Sequence, residues 1–279
     1  MLVVAAVCVC ACSGSETPRA AEMALVPVSA GAIVFAPVAG SLAPADADAC
    51  RKAAAAMIAR LPRLAVGESA PGAPKLDVTG MWENRGGEVA LSLEAKVRGG
   101  ALRVPIGAQI VATGPAGDRG TEISLVTRGL ADLGEALAAM FNLYGADEAA
   151  WTRALDAAEP DEQVLALALL GEAKSRAAVP AIGAALKDPR ERVAEAAADA
   201  LAAIGDERAV PLLIGAIRRD DVRSEVRAIE AISRIGGKEA RAYLEMTALG
   251  DELPEVRALS QSALDRMPGD GPRNAAETR

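Results

Sequence analysis

The chain has 279 residues, 51% of them apolar but only 2% aromatic, with no histidine and a formal net charge of −8. Without histidine there is no Ser-His-Asp or Cys-His nucleophile and no histidine metal site. The acidic balance argues against a dedicated nucleic-acid binder, whose affinity rests on neutralising phosphates with Lys and Arg.

Leu2 to Ala11 is an unbroken apolar run. At roughly 1.5 Å per residue it reaches about half of a bilayer core, too short for a spanning helix. Followed by Cys12-Ser13-Gly14-Ser15, it reads as a processed export leader. Val9-Cys10-Ala11-Cys12 resembles the bacterial lipobox, in which a small residue precedes a cysteine. The resemblance implies cleavage before Cys12 and acylation of its thiol and amino group. It also implies a protein held on the cell envelope, facing the periplasm or the exterior. A plain secretory leader is the alternative reading of the same run. Cys8, Cys10 and Cys12 fall in the first twelve residues, so with Cys50 they make no disulfide framework. Cys50 is expected to be a small buried apolar residue. Residues 12–22 are polar after the cysteine, contain Pro18, and read as a tether.

Residues 23–145 mix two periods. Ala32 to Ala36 is a short apolar run between Gly31 and Pro37, a predicted buried strand. Ala45 to Leu61 has Ala49, Ala53, Ala56, Met57 and Leu61 at helical spacing, with Asp46 or Asp48 to start it. Leu76, Val78, Gly80 and Trp82 alternate with polar residues. After Asn84-Arg85-Gly86-Gly87 the alternation resumes through Val89, Leu91, Leu93, Ala95 and Val97, which predicts a hairpin. After Gly99-Gly100, a third run from Leu102 to Ile110 predicts another strand, with Pro105 favouring an edge. Leu130 to Tyr144 returns to helical spacing. The order predicts an α+β layer structure. The strand, helix and LDVTGMWENRGGEVALSLEAKV segment resemble the small α/β domains of TolB amino-terminal regions and of curli-export lipoproteins; that resemblance transfers no functional residue.

Residues 146–268 repeat. The pattern VRxxAxxALxxIG is fullest at Val193, Ala197, Ala200, Leu201, Ile204 and Gly205. It recurs at Ala228, Ala231, Ile232, Ile235 and Gly236, and at Val256, Ser260, Ala263, Leu264 and Met267, where Pro268 replaces the glycine. A degenerate copy has Ala166, Leu167, Leu170 and Gly171. Each closing glycine is expected to cap a helix in the left-handed conformation. Ala178-Val179-Pro180 and Ala209-Val210-Pro211 open second helices, where proline is tolerated in the first turn. These copies resemble the short HEAT-like repeats, also called phycobilisome-lyase HEAT-like. The resemblance implies an all-α solenoid after the α+β domain, with second helices lining its inner surface. Residues 269–279 read as a disordered tail.

Chemistry is sparse. The carboxylate pairs Asp220-Asp221 and Asp251-Glu252 are the one route to acid–base catalysis, yet acids at such turns more often cap helix starts. Neither a calcium-loop spacing nor a phosphate-binding glycine loop is present, so no catalytic residue, metal or cofactor is predicted. The second helices carry Arg176, Lys187, Arg208, Arg218, Arg219, Lys238, Arg241 and Tyr243, partly offset by Glu207, Glu239 and Glu245. Arg208, Arg218, Arg219, Arg241 and Tyr243 are the candidate protein-binding residues, because Arg and Tyr are enriched in binding hot spots; a solvated charged face is the alternative. Arg208, Arg218 and Arg219 are expected to project from one helix, clear of a core stripe of Val210, Leu213 and Ile217. Phe141, Tyr144 and Trp151 are expected to pack at the junction of the two regions. The reading is a lipid-anchored, non-catalytic protein-binding or scaffold protein whose partners are other envelope proteins. The alternative is an enzyme or enzyme accessory, either chromophore-lyase-like or a carboxylate-based hydrolase.

Overall fold

The computed structural model describes residues 29–36, 44–58, 60, 74–84, 86–99, 102–116, 119–218 and 221–267. It opens with strand β1 (Ser29–Ala36) and helix α1 (Pro44–Ile58), followed by β2 (Lys75–Asn84), β3 (Glu88–Arg98) and β4 (Ile106–Pro115). The sheet order is β1-β2-β3-β4, with β1 parallel to β2 and the other two pairs antiparallel. The alternation in the sequence maps onto one buried face. Leu76, Val78 and Trp82 of β2 lie beside Val97, Ala95 and Leu91 of β3 on the same side. Gly86 (φ 61°) and Gly87 (φ 106°) make the tight reversal, a backbone that side-chain-bearing residues avoid.

Two of the boundaries that differ from the sequence expectation have a visible cause. The last strand begins at Ile106, not Leu102. Pro105 has no N–H to extend the ladder, and the Arg103 amide donates instead to the Tyr144 hydroxyl at 3.0 Å. The following helix, α2, spans Arg119–Tyr144, eleven residues longer than its apolar spacing suggested. Its early turns bury Leu125, Val126 and Leu130. Gly129 lets the helix lie on the sheet: a Cβ there would stand 2.9 Å from Leu93 Cδ1.

Beyond α2 the described chain is helical: α3 (Glu148–Ala154), α4 (Pro160–Glu172), α5 (Val179–Ala185), α6 (Glu191–Ile204), a 3-10 turn (Glu207–Ala209), α7 (Val210–Ile214), α8 (Val222–Ile235), α9 (Gly237–Gly250) and α10 (Pro254–Arg266). The architecture is an α+β unit followed by an all-α HEAT-like stack. The long first helices pack in succession, α4 on α6, α6 on α8, α8 on α10. The repeat positions are in phase. Val193, Ala197, Ala200, Leu201 and Ile204 are buried, as are Ala228, Ala231, Ile232, Val256 and Ala263. One apolar core runs from the sheet into the stack, and β4 and α2 both touch α4. The Gln109 amide on the β4 edge donates to Asp161 of α4 at 2.9 Å, which satisfies part of an otherwise open strand edge.

Of Gly171, Gly205 and Gly236, each expected from the sequence to cap a helix in the left-handed conformation, Gly205 alone does so. Gly205 is a left-handed cap (φ 69°, ψ 31°) whose N–H donates to Leu201. Gly236 has positive φ but an extended ψ of −160°. Gly171 caps nothing: it lies inside α4, and its left-handed role falls to Lys174 (φ 55°), after which the Ser175 amide donates to the Leu170 carbonyl. Gly171 is instead a point of close approach. A Cβ there would meet the Ala200 Cα of α6 at 3.1 Å.

Candidate functional site

The basic residues picked from the sequence do not form one groove. Cys12 and Arg219 lie outside the described residues. Arg208 and Arg218 do not share a helix, because α7 covers only Val210–Ile214; Arg208 sits in the 3-10 turn before it and Arg218 follows it. Gly215 caps α7 within five residues, too short to carry both. The apolar stripe itself is present: Val210 and Leu213 are buried and Ile217 packs against the core.

Arg208 and Arg218 also serve the fold. The Arg208 guanidinium donates to Asp206 at 2.6 Å and to the Arg176 carbonyl at 3.2 Å. Arg218 pairs with Asp221. That pairing pulls the carboxyls down: Asp206 falls to about 2, first through the Arg208 side-chain bond, and Asp221 falls through Arg218. Arg241 and Tyr243 are half-buried on α9. Burial raises the Tyr243 phenol, aided by the charges of Glu225 and Asp251. Asp251 and Glu225 are side-chain neighbours, and Asp251 accepts from the Leu253 amide at 2.8 Å. Among the described residues no three Asp, Glu or Cys side chains are placed to hold a metal ion, and no helix is long and apolar enough to cross a membrane.

A device that the sequence reading missed recurs as Asp-x-Arg. In Asp188-Pro189-Arg190, Asp206-Glu207-Arg208 and Asp221-Val222-Arg223 the carboxylate accepts from the backbone N–H two residues on, at 2.8, 3.0 and 3.1 Å. Each arginine then reaches 32 residues back: Arg190 to the Ala158 carbonyl, Arg208 to the Arg176 carbonyl, Arg223 to the Glu191 carboxylate. The 32-residue period was legible, and so was Asp two residues ahead of Arg; taken together they would have marked these arginines as repeat ties.

A cleft of about 1090 Å³ lies between α3 and α5. Its α3 wall carries Ala149 and Thr152, and its α5 wall Ala181 and Ala184. Both helices are seven residues long, and alanine keeps each wall low. Gln163 lies in the cleft and is 5% exposed. It donates to the Leu155 carbonyl at 2.6 Å and accepts from Arg190 at 2.6 Å. Asp188 accepts from the same Nη2 at 2.8 Å and from Nε at 2.9 Å, and is itself held below its ordinary pKa by that pairing. The cleft thus has a braced polar patch, low alanine walls, and exposed Asp156 and Lys187 on its lining. Glu148, also in the lining, accepts from the Ser175 hydroxyl. The junction aromatics hold this end in place. Trp151 Nε1 of α3 donates to the Leu143 carbonyl of α2 at 2.8 Å, and Phe141 and Tyr144 are buried. On the α6–α8 side, acids of α6 face bases of α8, with Arg234 2.6 Å from Asp199 and Arg223 and Arg227 both on Glu191, so those charges satisfy one another.

Residues 148–230 match the family described as HEAT repeats. The match begins at α3 and ends within α8, so it covers the cleft and all three Asp-x-Arg ties. No curated protein matches the chain.

Proposed function

We propose that the protein is a lipid-anchored, non-catalytic scaffold of the bacterial envelope that holds a partner protein in the cleft between α3 and α5. HEAT repeats point to protein interaction, and the observation that carries the reading is the cleft itself. It is large enough for a packed segment of another chain, floored by a braced glutamine–arginine pair and walled by alanines that let a second backbone approach closely. The arginines that a basic-groove reading would use, Arg208 and Arg218, are spent on ties within the chain. Leu2 to Ala11 and Cys12 support the anchor.

Two experiments test the two halves. Metabolic labelling with palmitate should mark the protein, and Cys12→Ala should abolish the label and release the chain from membranes; unlabelled wild-type chain in the soluble fraction would refute the anchor. For the cleft, Ala184→Arg places a long side chain on an exposed α5 position without touching the core. It should remove the proteins captured by wild-type chain from detergent-solubilised envelopes. Met81→Arg, on the exposed face of the sheet, should capture them all. Equal capture by Ala184→Arg would move recognition elsewhere.

A further inference from the structure

The second helices of the stack keep an interval of their own. Ala178-Val179-Pro180 leads into α5, and Ala209-Val210-Pro211 leads into α7 31 residues later. At that interval Leu212 of α7 corresponds to Ala181 of α5, and Gly183 of α5 to Thr152 of α3. Leu212 closes the space between α7 and α5: its Cδ1 lies 2.7 Å from where a Cβ on Gly183 would stand. Tyr243 of α9, the next residue of the series, is also large and packs against the core. Between α5 and α3 the corresponding pair is Ala181 and Thr152, and both line the cleft. The opening thus falls where the period calls for a large apolar side chain and the sequence supplies a methyl group.

Backbone chemistry selects what can carry that side chain in. An extended segment brings one N–H and one C=O per residue, and each needs a partner once buried. The walls are helices, whose backbone groups are paired internally. The polar groups of the floor are engaged as well, Gln163 with Leu155 and Arg190, and Arg190 with Asp188. A helix satisfies its own backbone. The cleft of about 1090 Å³ holds roughly nine residues of a helix about 10 Å across, or two to three turns. Charge sets the flanks of that helix. Asp156, just after α3, and Lys187, just after α5, are exposed on the two walls, and among the described residues neither is ion-paired. An occupant with a base towards α3 and an acid towards α5 meets both; one of a single sign opposes one of them.

We propose that the α3–α5 cleft receives an amphipathic α-helix of a partner protein, seated by one large apolar side chain between Ala181 and Thr152, with a base facing Asp156 and an acid facing Lys187. This rests on the reading of the cleft as a partner site and names the partner's chemistry.

The test is fluorescence anisotropy of the full chain in detergent with a stapled, alanine-based helix of about four turns, carrying leucine at its centre, lysine on one flank and glutamate on the other. This helix should bind. Replacing its leucine with alanine should weaken binding about tenfold or more. A version with two central prolines, which cannot form the helix, should not bind. Ala181→Leu should weaken the stapled helix to a similar degree by filling the seat, with its melting temperature unchanged or raised, because the new side chain takes the place that Leu212 takes in the next spacing. Lys187→Glu should weaken this helix and favour one with lysine on both flanks. The proposal is overturned by a leucine helix that does not bind, by equal binding of the proline version, by indifference to Ala181→Leu or to Lys187→Glu, or by an Ala181→Leu chain that melts earlier than wild type. Envelope proteins lost by Ala184→Arg while the stapled helix fails to bind would keep the cleft as a partner site and sink the helical occupant. Equal capture by Ala184→Arg would sink the cleft reading itself.

Discussion

Gly171 and Gly183 are both helical glycines in the stack, yet alanine at the two positions should move stability in opposite directions. In a helix interior Gly→Ala gains about 1 kcal/mol through backbone entropy. At Gly183, in the middle of α5, the new Cβ would meet Leu212 Cδ1 at 2.7 Å. That atom is the free end of a half-buried side chain, which can turn aside, so most of the gain survives and Gly183→Ala should be neutral or up to about 1 kcal/mol more stable. At Gly171 the Cβ would meet the Ala200 Cα at 3.1 Å and the Ala200 and Ala203 Cβ atoms at 3.4 Å. Here the obstacle is the backbone of α6, and relief requires moving one helix off another. Overpacking of that kind costs about 1–3 kcal/mol. The propensity gain is also reduced in the last turn of α4, so Gly171→Ala should be destabilised by about 0.5–2 kcal/mol. Thermal unfolding followed by far-ultraviolet circular dichroism resolves the pair, at about 2–4 °C per kcal/mol for a chain of this size. A Gly171→Ala protein as stable as wild type would mean that α4 and α6 are not in backbone contact, and the account of the stack would fail.

Three further outcomes follow from burial and charge. Leu201 is fully buried between stacked helices, so Leu201→Ala should cost about 2–5 kcal/mol in urea unfolding; a neutral result would place the repeat out of phase. Asp206 is held at about 2 against an ordinary 3.8, chiefly by Arg208. A lowered carboxylate stabilises the fold above its unfolded value and loses that contribution as pH falls from about 3.8 towards about 2. Asp206→Asn should therefore flatten the acid limb of the stability curve, and parallel wild-type and variant curves would refute the tie. Glu225 is shifted the other way, first by burial and then by Asp251. Its contribution is complete below 4.5 and is lost as pH rises through the raised value, so Glu225→Gln should stabilise the protein at neutral pH, by about 1 kcal/mol at most because the site is partly solvated. A lowered melting temperature there would show the charged form to be the favoured one.

Much of the fold was legible because it rests on period. The hairpin of β2 and β3 and the in-phase burial of Val193, Ala197 and Leu201 follow from spacings of 2 and 3.6 alone. The boundaries that moved were decided by partners remote in sequence. β4 starts late because Arg103 bonds to Tyr144, and α2 extends ahead of Leu130 because Leu125 and Val126 are buried, Leu125 close to Gly114 of β4. The cleft was not legible for a related reason. Ala181 and Ala184 read equally as close packing and as the low wall of an opening, and only the placement of α3 against α5 separates the two.

The charged residues show why composition misleads in a repeat. An exposed arginine on a single helix reads as a hook for a partner. In a stack, the residue one period away is a neighbour, so an arginine has a carbonyl or carboxylate of its own chain within reach. Arg190, Arg208 and Arg223 each use that neighbour, and each follows an aspartate two residues earlier that accepts its backbone N–H and turns the chain into the next helix. At Arg190 and Arg208 the same carboxylate also holds the guanidinium, so there the turn and the tie are one device, and losing the aspartate frees both. What remains for recognition in such a chain is the surface where the repetition breaks. The α3–α5 cleft is such a place, where two short helices leave an opening. A basic side chain inside the period carries structure.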